Sequence, residues 1–206
     1  MSWYYRRIEN ACCGDVYDEY WRLLSATKAE SLGSNKAVQK QLNSQPKFSF
    51  VCPVYNPAPE HFQAMLDSVL CQTYKNFELI LVNADSSNHE FSKIISEHNS
   101  SKLKVVELDK NMGIAENTNK GIELARGDYV AFIDHDDCVE SDLLEEYANA
   151  IDGSDVDLLY CDEDSITEEG RHILPIFKPD FNPDFLYSNN YILHCLCVSK
   201  AVLEST

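Results

Sequence analysis

The sequence predicts an α/β domain with a mostly parallel sheet flanked by helices, preceded by a short N-terminal helical segment. Three observations carry this. From residue 46 onward, short apolar runs alternate with amphipathic stretches, the pattern of strand and covering helix in turn. Some runs, Tyr129-Val130-Ala131-Phe132-Ile133 most clearly, are apolar at consecutive positions, as a strand buried on both faces requires. The length of 206 residues and the 44% hydrophobic content suffice for one well-buried core plus a small appendage.

The appendage comes first. Over 15–42, Val16, Tyr20, Leu23 and Leu24 recur at helical spacing in otherwise polar sequence. One or two helices are expected there, broken near Gly33-Ser34-Asn35, with Asn43-Ser44-Gln45-Pro46 as a linker. Residues 1–45 are therefore read as a helical segment and linker that docks on the domain or a partner, and 46–206 as the domain.

Within the domain, 48–54 is the first strand and 61–70 the first helix, with Phe62, Met65, Leu66 and Val69 on one face. A second strand follows over 77–82, then a helix over 91–97 carrying Ile94 and Ile95. The third strand is 103–108, and the helix over 114–124 turns Ile122 and Leu124 inward. The fourth strand, 129–133, precedes a helix over 143–151 and a further strand over 158–161. These last two strands both run into acid, at Asp134-His135-Asp136-Asp137 and Asp162-Glu163-Asp164. Open α/β sheets bind ligands in the crevice at the carboxyl ends of their strands, which makes both acidic exits site candidates.

Composition narrows the function. A formal net charge of -17 argues against nucleic acid and against an anionic membrane surface, because both need clustered Lys and Arg. No Lys or Arg occurs between Arg126 and Arg171, so the acidity is concentrated where a cation would be recruited. The eight cysteines include no Cys-x-x-Cys pair, and a chain of this size needs no staples, so they are read as reduced thiols. No run reaches the length of a membrane span and the first residues do not read as a signal core, which places the chain in the cytoplasm.

Asp134 and Asp136 stand one residue apart where the chain turns out of a buried strand, so both carboxylates can face one ligand. Mg²⁺ or Mn²⁺ takes one or two protein carboxylates and fills its remaining positions with substrate phosphate and water. Asp137, Glu140 and Asp142 have the plainer reading of acids opening the next helix, which is accepted for Glu140 and Asp142. An EF-hand loop does not fit, since Cys138 falls where an oxygen ligand belongs. A phosphoaspartate hydrolase would carry its Asp-x-Asp nearer the start of its domain. Dinucleotide, phosphate-loop and serine-hydrolase motifs are absent from the sequence.

An ordered series of segments resembles family 2 glycosyltransferases of the GT-A (Rossmann-like) fold, particularly bacterial enzymes of surface-polysaccharide and O-antigen synthesis. It comprises Phe50-Val51-Cys52-Pro53-Val54-Tyr55-Asn56, then Ser68-Val69-Leu70-Cys71-Gln72-Thr73-Tyr74-Lys75-Asn76-Phe77-Glu78-Leu79-Ile80. Asn111-Met112-Gly113-Ile114-Ala115-Glu116-Asn117 follows, then Ala125-Arg126-Gly127-Asp128-Tyr129-Val130 and the Asp134-His135-Asp136-Asp137 turn. Later segments, Tyr160-Cys161-Asp162-Glu163-Asp164, Phe177-Lys178-Pro179-Asp180-Phe181-Asn182-Pro183-Asp184 and Asn189-Asn190-Tyr191-Ile192-Leu193-His194, resemble a subgroup that includes rhamnosyltransferases.

The resemblance implies a nucleotide-diphosphate sugar as donor, UDP- or dTDP-linked, and a glycan or lipid-linked acceptor. Pro53, Tyr55 and Asn56 would line the base pocket, Gly113 and Asn117 would approach the donor, Asp134 would contact the nucleoside and Asp136 would hold the metal. The plain readings are a strand-ending turn for Tyr55 and Asn56 and a helix-entry turn for Gly113. Where the family usually has two aspartates after its second strand, this chain has Val82-Asn83-Ala84-Asp85, so Asn83 or Asp85 takes the base. Asp162, Glu163 and Asp164 face donor or acceptor, or are only an acidic strand exit. His194 is read as a packed histidine. The resemblance also implies inverting transfer, with the general base on a segment beyond residue 206. The alternative is a donor-binding module without turnover. The enzyme would act in the cytoplasm, or at the inner membrane face through partners.

Overall fold

In a computed structural model of the chain, residues 3–7, 22 and 42–205 are described. The helices expected over 15–42 fall outside them, apart from Arg22, which is helical, and Leu42. Within the segment expected to be helical, Trp3–Arg7 is a strand, β1.

The domain begins with β2 (Phe48–Val54), α1 (Pro59–Leu70), β3 (Phe77–Asn83), α2 (His89–Glu97), β4 (Leu103–Glu107), α3 (Ile114–Leu124) and β5 (Tyr129–Phe132). It continues with β6 (Asp137–Val139), α4 (Leu143–Ile151), β7 (Leu158–Leu159), β8 (Asp162–Ile166), β9 (His172–Ile176), α5 (Pro183–Ser188), β10 (Cys197–Ser199) and α6 (Lys200–Leu203). The larger sheet has the order β4-β3-β2-β5-β10-β7, and the smaller β6-β1-β8-β9. Strands β4, β3, β2 and β5 are parallel, while β10 lies antiparallel between β5 and β7. Two antiparallel steps leave β7 parallel to β5, so both acidic exits leave the same edge of the sheet.

The alternation of β2 explains why it reads as a continuous apolar run. Phe48, Phe50, Cys52 and Val54 pack on one face with Phe62, Met65, Leu66 and Val69 of α1 and with Leu143, Leu144 and Tyr147 of α4. Val51 points to the other face, beside Ile80, Val82 and Val130, where Ile122 and Leu124 of α3 pack. Helix α3 lies close there: a Cβ on Gly121 would come within 2.3 Å of Val51 Cγ1. A Cβ on Gly127 would stand 2.7 Å from the backbone of Lys47 and Ser49, so glycine alone lets the chain enter β5 against β2.

The strands the sequence reading missed are short or polar. The expected strand over 158–161 ends at Leu159, and Asp162-Glu163-Asp164 is not a loop but the start of β8. Asp137 opens β6 rather than a helix. The six described cysteines are free thiols. Among the described residues, no helix is long and apolar enough to cross a membrane.

Two polar side chains of α1 and its exit fasten the acidic turn to the core. Ser68 Oγ accepts the Val139 amide at 3.2 Å. Gln72, fully buried, donates to the Glu140 carbonyl at 2.6 Å and accepts the Leu144 amide at 3.0 Å. Replacing Gln72 with Leu keeps the volume and strands the Leu144 amide, worth about 1–3 kcal/mol when buried without a partner, while the Glu140 carbonyl keeps the Leu143 amide at 3.2 Å. Chemical denaturation of Gln72→Leu is expected to show a loss of at least ~1 kcal/mol with an unchanged m-value. A change inside ~0.5 kcal/mol, the range of ordinary surface substitutions, would refute the brace.

Candidate functional site

The chain leaves the larger sheet after Phe132 and enters the smaller one at Asp137. Ile133 still bonds to the Val51 carbonyl and Phe132 to that of Leu196, so the turn starts from a fixed edge. Its side chains then diverge. Asp134 is 41% exposed and Asp136 is exposed, whereas the Asp137 carboxyl is only 1% exposed. His194 reaches this point from the segment before β10, with Nδ1 3.4 Å from Asp137 Oδ2 and 3.9 Å from Asp134 Oδ2.

Asp134, Asp137 and His194 thus present three donor atoms within 4.8 Å of one another. Asp136 is not in this group. Burial pushes the Asp137 carboxyl above the usual carboxylate range; His194 opposes the shift and Glu163 adds to it. Both Asp137 oxygens are buried, and His194 Nδ1, 3.4 Å from Oδ2, is the group that faces them and favours the ionised form. An ionised carboxylate in that position is costly unless a cation compensates it. Two carboxylate oxygens and one imidazole nitrogen fit a small divalent cation, with water or phosphate completing its shell.

Asp136 remains close by, since both Asp134 and Asp136 act on the Cys52 thiol, which burial already raises well above the ordinary range. At the end of β2, Pro53 is half-buried, Tyr55 is 54% exposed and Asn56 takes the left-handed φ of 45°. Asn83 is buried, its amide donating to Glu107 at 2.7 Å and its oxygen accepting from the Asp85 amide at 3.1 Å. Asp85 is half-exposed and accepts the Ser87 hydroxyl at 2.6 Å. Both base-binding candidates make internal bonds, and Asn83 is the buried one while Asp85 keeps exposed surface. Gly113, at φ 93°, caps α3; Asn111 accepts from its amide and from Asn117, and Asn117 accepts from Met112. Asn117 is accordingly a buried brace of the Gly113 turn.

The second acidic segment is internally partnered. Asp162 accepts the Lys178 amide at 2.7 Å, Glu163 pairs with Lys178 Nζ at 2.9 Å, and buried Asp164 lies 3.1 Å from His172 Nδ1. Asp162 also lines an open cleft of about 400 Å³ with Glu146, Tyr160, Lys178 and Asp180. The residues missed in the sequence are Asp137, left between two readings, and His194, a lone histidine whose neighbours are set only by tertiary structure.

An α/β sheet with an acidic crevice at its carboxyl edge defines a class of nucleotide-binding folds. Residues 49–203 match the model for glycosyl transferase family 2, and the chain belongs to that family. It is 32% identical over 166 residues to the O-antigen biosynthesis protein RfbC of Myxococcus xanthus, covering 79% of this chain and 13% of RfbC. In fold it is similar to S. aureus TarS in complex with UDP-GlcNAc, at TM-score 0.62 and 24% identity over 77% of this chain and 47% of that one. Mannosyltransferase PcManGT from Pyrobaculum calidifontis, in complex with GDP-Man and Mn²⁺, gives TM-score 0.57 and 19% identity over 92% of this chain and 55% of that one. The chain spans about half the length of these structures and a small part of RfbC.

Glu140, just past β6, carries a pH signature. Burial, then Asp142, then Asp164 push its carboxyl from 4.5 to about 7, with His172 pulling the other way. Folding therefore favours the protonated acid: the benefit is complete below the unfolded value and is lost as pH rises through about 7. Glu140→Gln is expected to raise Tm relative to the parent at pH 8, with the gain shrinking toward pH 5. A constant offset across that range would count against the assignment.

Proposed function

We propose that this chain is the donor-binding part of an inverting glycosyltransferase that uses a nucleotide-diphosphate sugar and a divalent metal in surface-polysaccharide synthesis. The observation that carries the metal reading is Asp137, a buried carboxylate whose donor atom lies within 4.8 Å of those of Asp134 and His194. Asp134, Asp137 and His194 would hold the ion. Mn²⁺ suits one nitrogen donor better than Mg²⁺, which favours an all-oxygen shell. When bound, the ion supplies charge neutralisation for the departing diphosphate.

The chain's own residues do the rest. Tyr55 and Asn56 at the end of β2 and Asp85 beyond β3 frame the base, UDP or dTDP by this reading. The amino end of α3, entered through Gly113, opens on the same edge of the sheet, where helix amides favour phosphate. Half-exposed Asp134 lies between the buried metal ligands and the crevice, in reach of the nucleoside. The acceptor is a glycan or lipid-linked hydroxyl, and attack on the anomeric carbon from the side opposite the diphosphate inverts it. No residue of the chain is assigned as general base. The enzyme would work in the cytoplasm, at the inner membrane face through partners. A second reading, donor binding without turnover, rests on the chain's short span relative to its relatives.

Thermal shift with UDP- and dTDP-sugars, with and without Mn²⁺, tests this. A ligand at 100 times its Kd adds about 2.7 kcal/mol, which for a chain of this size is a Tm rise of roughly 5–10 °C. The rise should require Mn²⁺ and vanish in Asp137→Asn. Asp136→Ala separates the ligand sets, because loss there with Asp137→Asn unaffected would restore the sequence expectation and remove Asp137. Metal-independent stabilisation, equal in all variants, would defeat the reading. Sugar transfer by the chain distinguishes the enzyme from the binding module.

A further inference from the structure

Lys178 belongs to a sequence motif that the donor site leaves without a role, and its side chain is only 2% exposed. An ammonium is rarely buried so far without a specific set of acceptors. Here its Nζ donates to the carbonyl of Leu193 and, at 3.1 Å, to that of His194, and lies 2.9 Å from Glu163 Oε2. The lysine backbone is itself fixed, its amide donating to Asp162 at 2.7 Å and the next carbonyl, Pro179, accepting from Tyr160.

The segment it grips carries the histidine of the acidic site. His194 has φ 52°, a left-handed conformation that residues other than glycine keep where their surroundings hold them. Other polar contacts on this segment include Tyr147 Oη to the Cys195 carbonyl at 2.8 Å, Cys161 Sγ to the His194 carbonyl at 3.8 Å and the Phe132 amide to the Leu196 carbonyl at 2.8 Å. The ammonium is thus the one charged group bonded to the backbone of His194 among the contacts described. It ties that residue to β8 through Glu163 and Asp162.

We propose that Lys178 is a positioning residue for the Asp134, Asp137 and His194 group. Its buried ammonium fixes the Leu193 and His194 carbonyls and thereby the direction of the His194 ring. The inference rests on the metal reading above, and His194→Ala separates the two. If the chain with His194→Ala binds Mn²⁺ as tightly as the parent, His194 is not a ligand. If it binds weakly while Lys178→Met binds normally, only the present proposal fails.

The experiment measures Mn²⁺ affinity by isothermal titration for the parent chain, Lys178→Met, His194→Ala and the double variant. Loss of a partner that orients a ligand costs about 10-fold or more in metal affinity. We expect that loss for Lys178→Met in the parent background and a smaller one once His194 is alanine, the remainder coming from Glu163, which the lysine compensates and which bears on Asp137. Equal losses in both backgrounds would mean a general effect on folding and overturn the proposal. Lys178→Met combined with Glu163→Gln, which leaves no buried carboxylate unpaired, should show the same dependence on His194. In the metal-free chain the His194 ring resonances should shift in Lys178→Met while those of His61 and His89 stay in place. Unmoved His194 resonances would overturn the proposal whether or not Mn²⁺ binds.

Discussion

The passage from one sheet to the other is the constraint on which the site depends. Strand β5 is hydrogen-bonded to β2 on one side and β10 on the other, so the chain must leave at a fixed place and angle. It reaches β6 after the short turn 133–136, and a turn that brief cannot keep all its acids in solvent. Asp134 stays at the crevice and Asp137 is carried inside. The braces make sense only against this demand. Ser68 and Gln72 hold the far side of the turn to α1, and the His194 segment closes the near side against β8. The motif residues that look unremarkable in sequence therefore serve the same few ångströms of backbone.

Charge sets the second condition. Like charges about 4 Å apart repel by roughly 4 kcal/mol at an effective dielectric of 20, a large share of the 5–15 kcal/mol that holds a typical domain folded. Solvent at Asp134 screens part of this, and His194 offsets part. Glu163 stands near enough to raise Asp137 further, although Lys178 compensates Glu163 itself. An acidic stretch without Lys or Arg from Arg126 to Arg171 thus contains two carboxylates closed to solvent, Asp137 and Asp164. Asp164 lies against His172, whereas Asp137 shares His194 with a second carboxylate, Asp134, and that sets it apart.

How much was legible follows from how local each signal is. The strand β2 and the helices α1, α3 and α4 were readable because burial on one helix face or two strand faces writes itself into consecutive residues; the expected bounds of α3 and α4 agree with the structure. The mostly parallel sheet followed from their alternation. Strands β6, β8 and β9 were hidden, because short strands of mixed polarity look like loops until a distant partner pairs with them. Strand β10 inserts between β5 and β7 from far along the chain, which no local pattern announces. For the site, the crevice edge and Asp134 were legible from the strand that delivers them. The company Asp134 keeps was not: Asp137 stood between a site acid and a helix-opening one, and His194 had no neighbour in sequence to mark it.

The turn after β5 sets how its acids are disposed. Two residues one apart share a face only while the backbone stays extended, and here it has already begun to turn, with the Asp137 amide returning to the Asp134 carbonyl at 3.3 Å. That contact brings the first and last acids of the turn together and leaves Asp136 at the exposed bend. Asp136 still senses the Cys52 end of β2, so it stands at the crevice without joining the buried trio. The bend therefore offers two acidic positions: an interior one at Asp137, where a cation would offset a carboxylate solvent cannot reach, and an exposed one at Asp136, where a carboxylate can meet an ion or ligand arriving from solution.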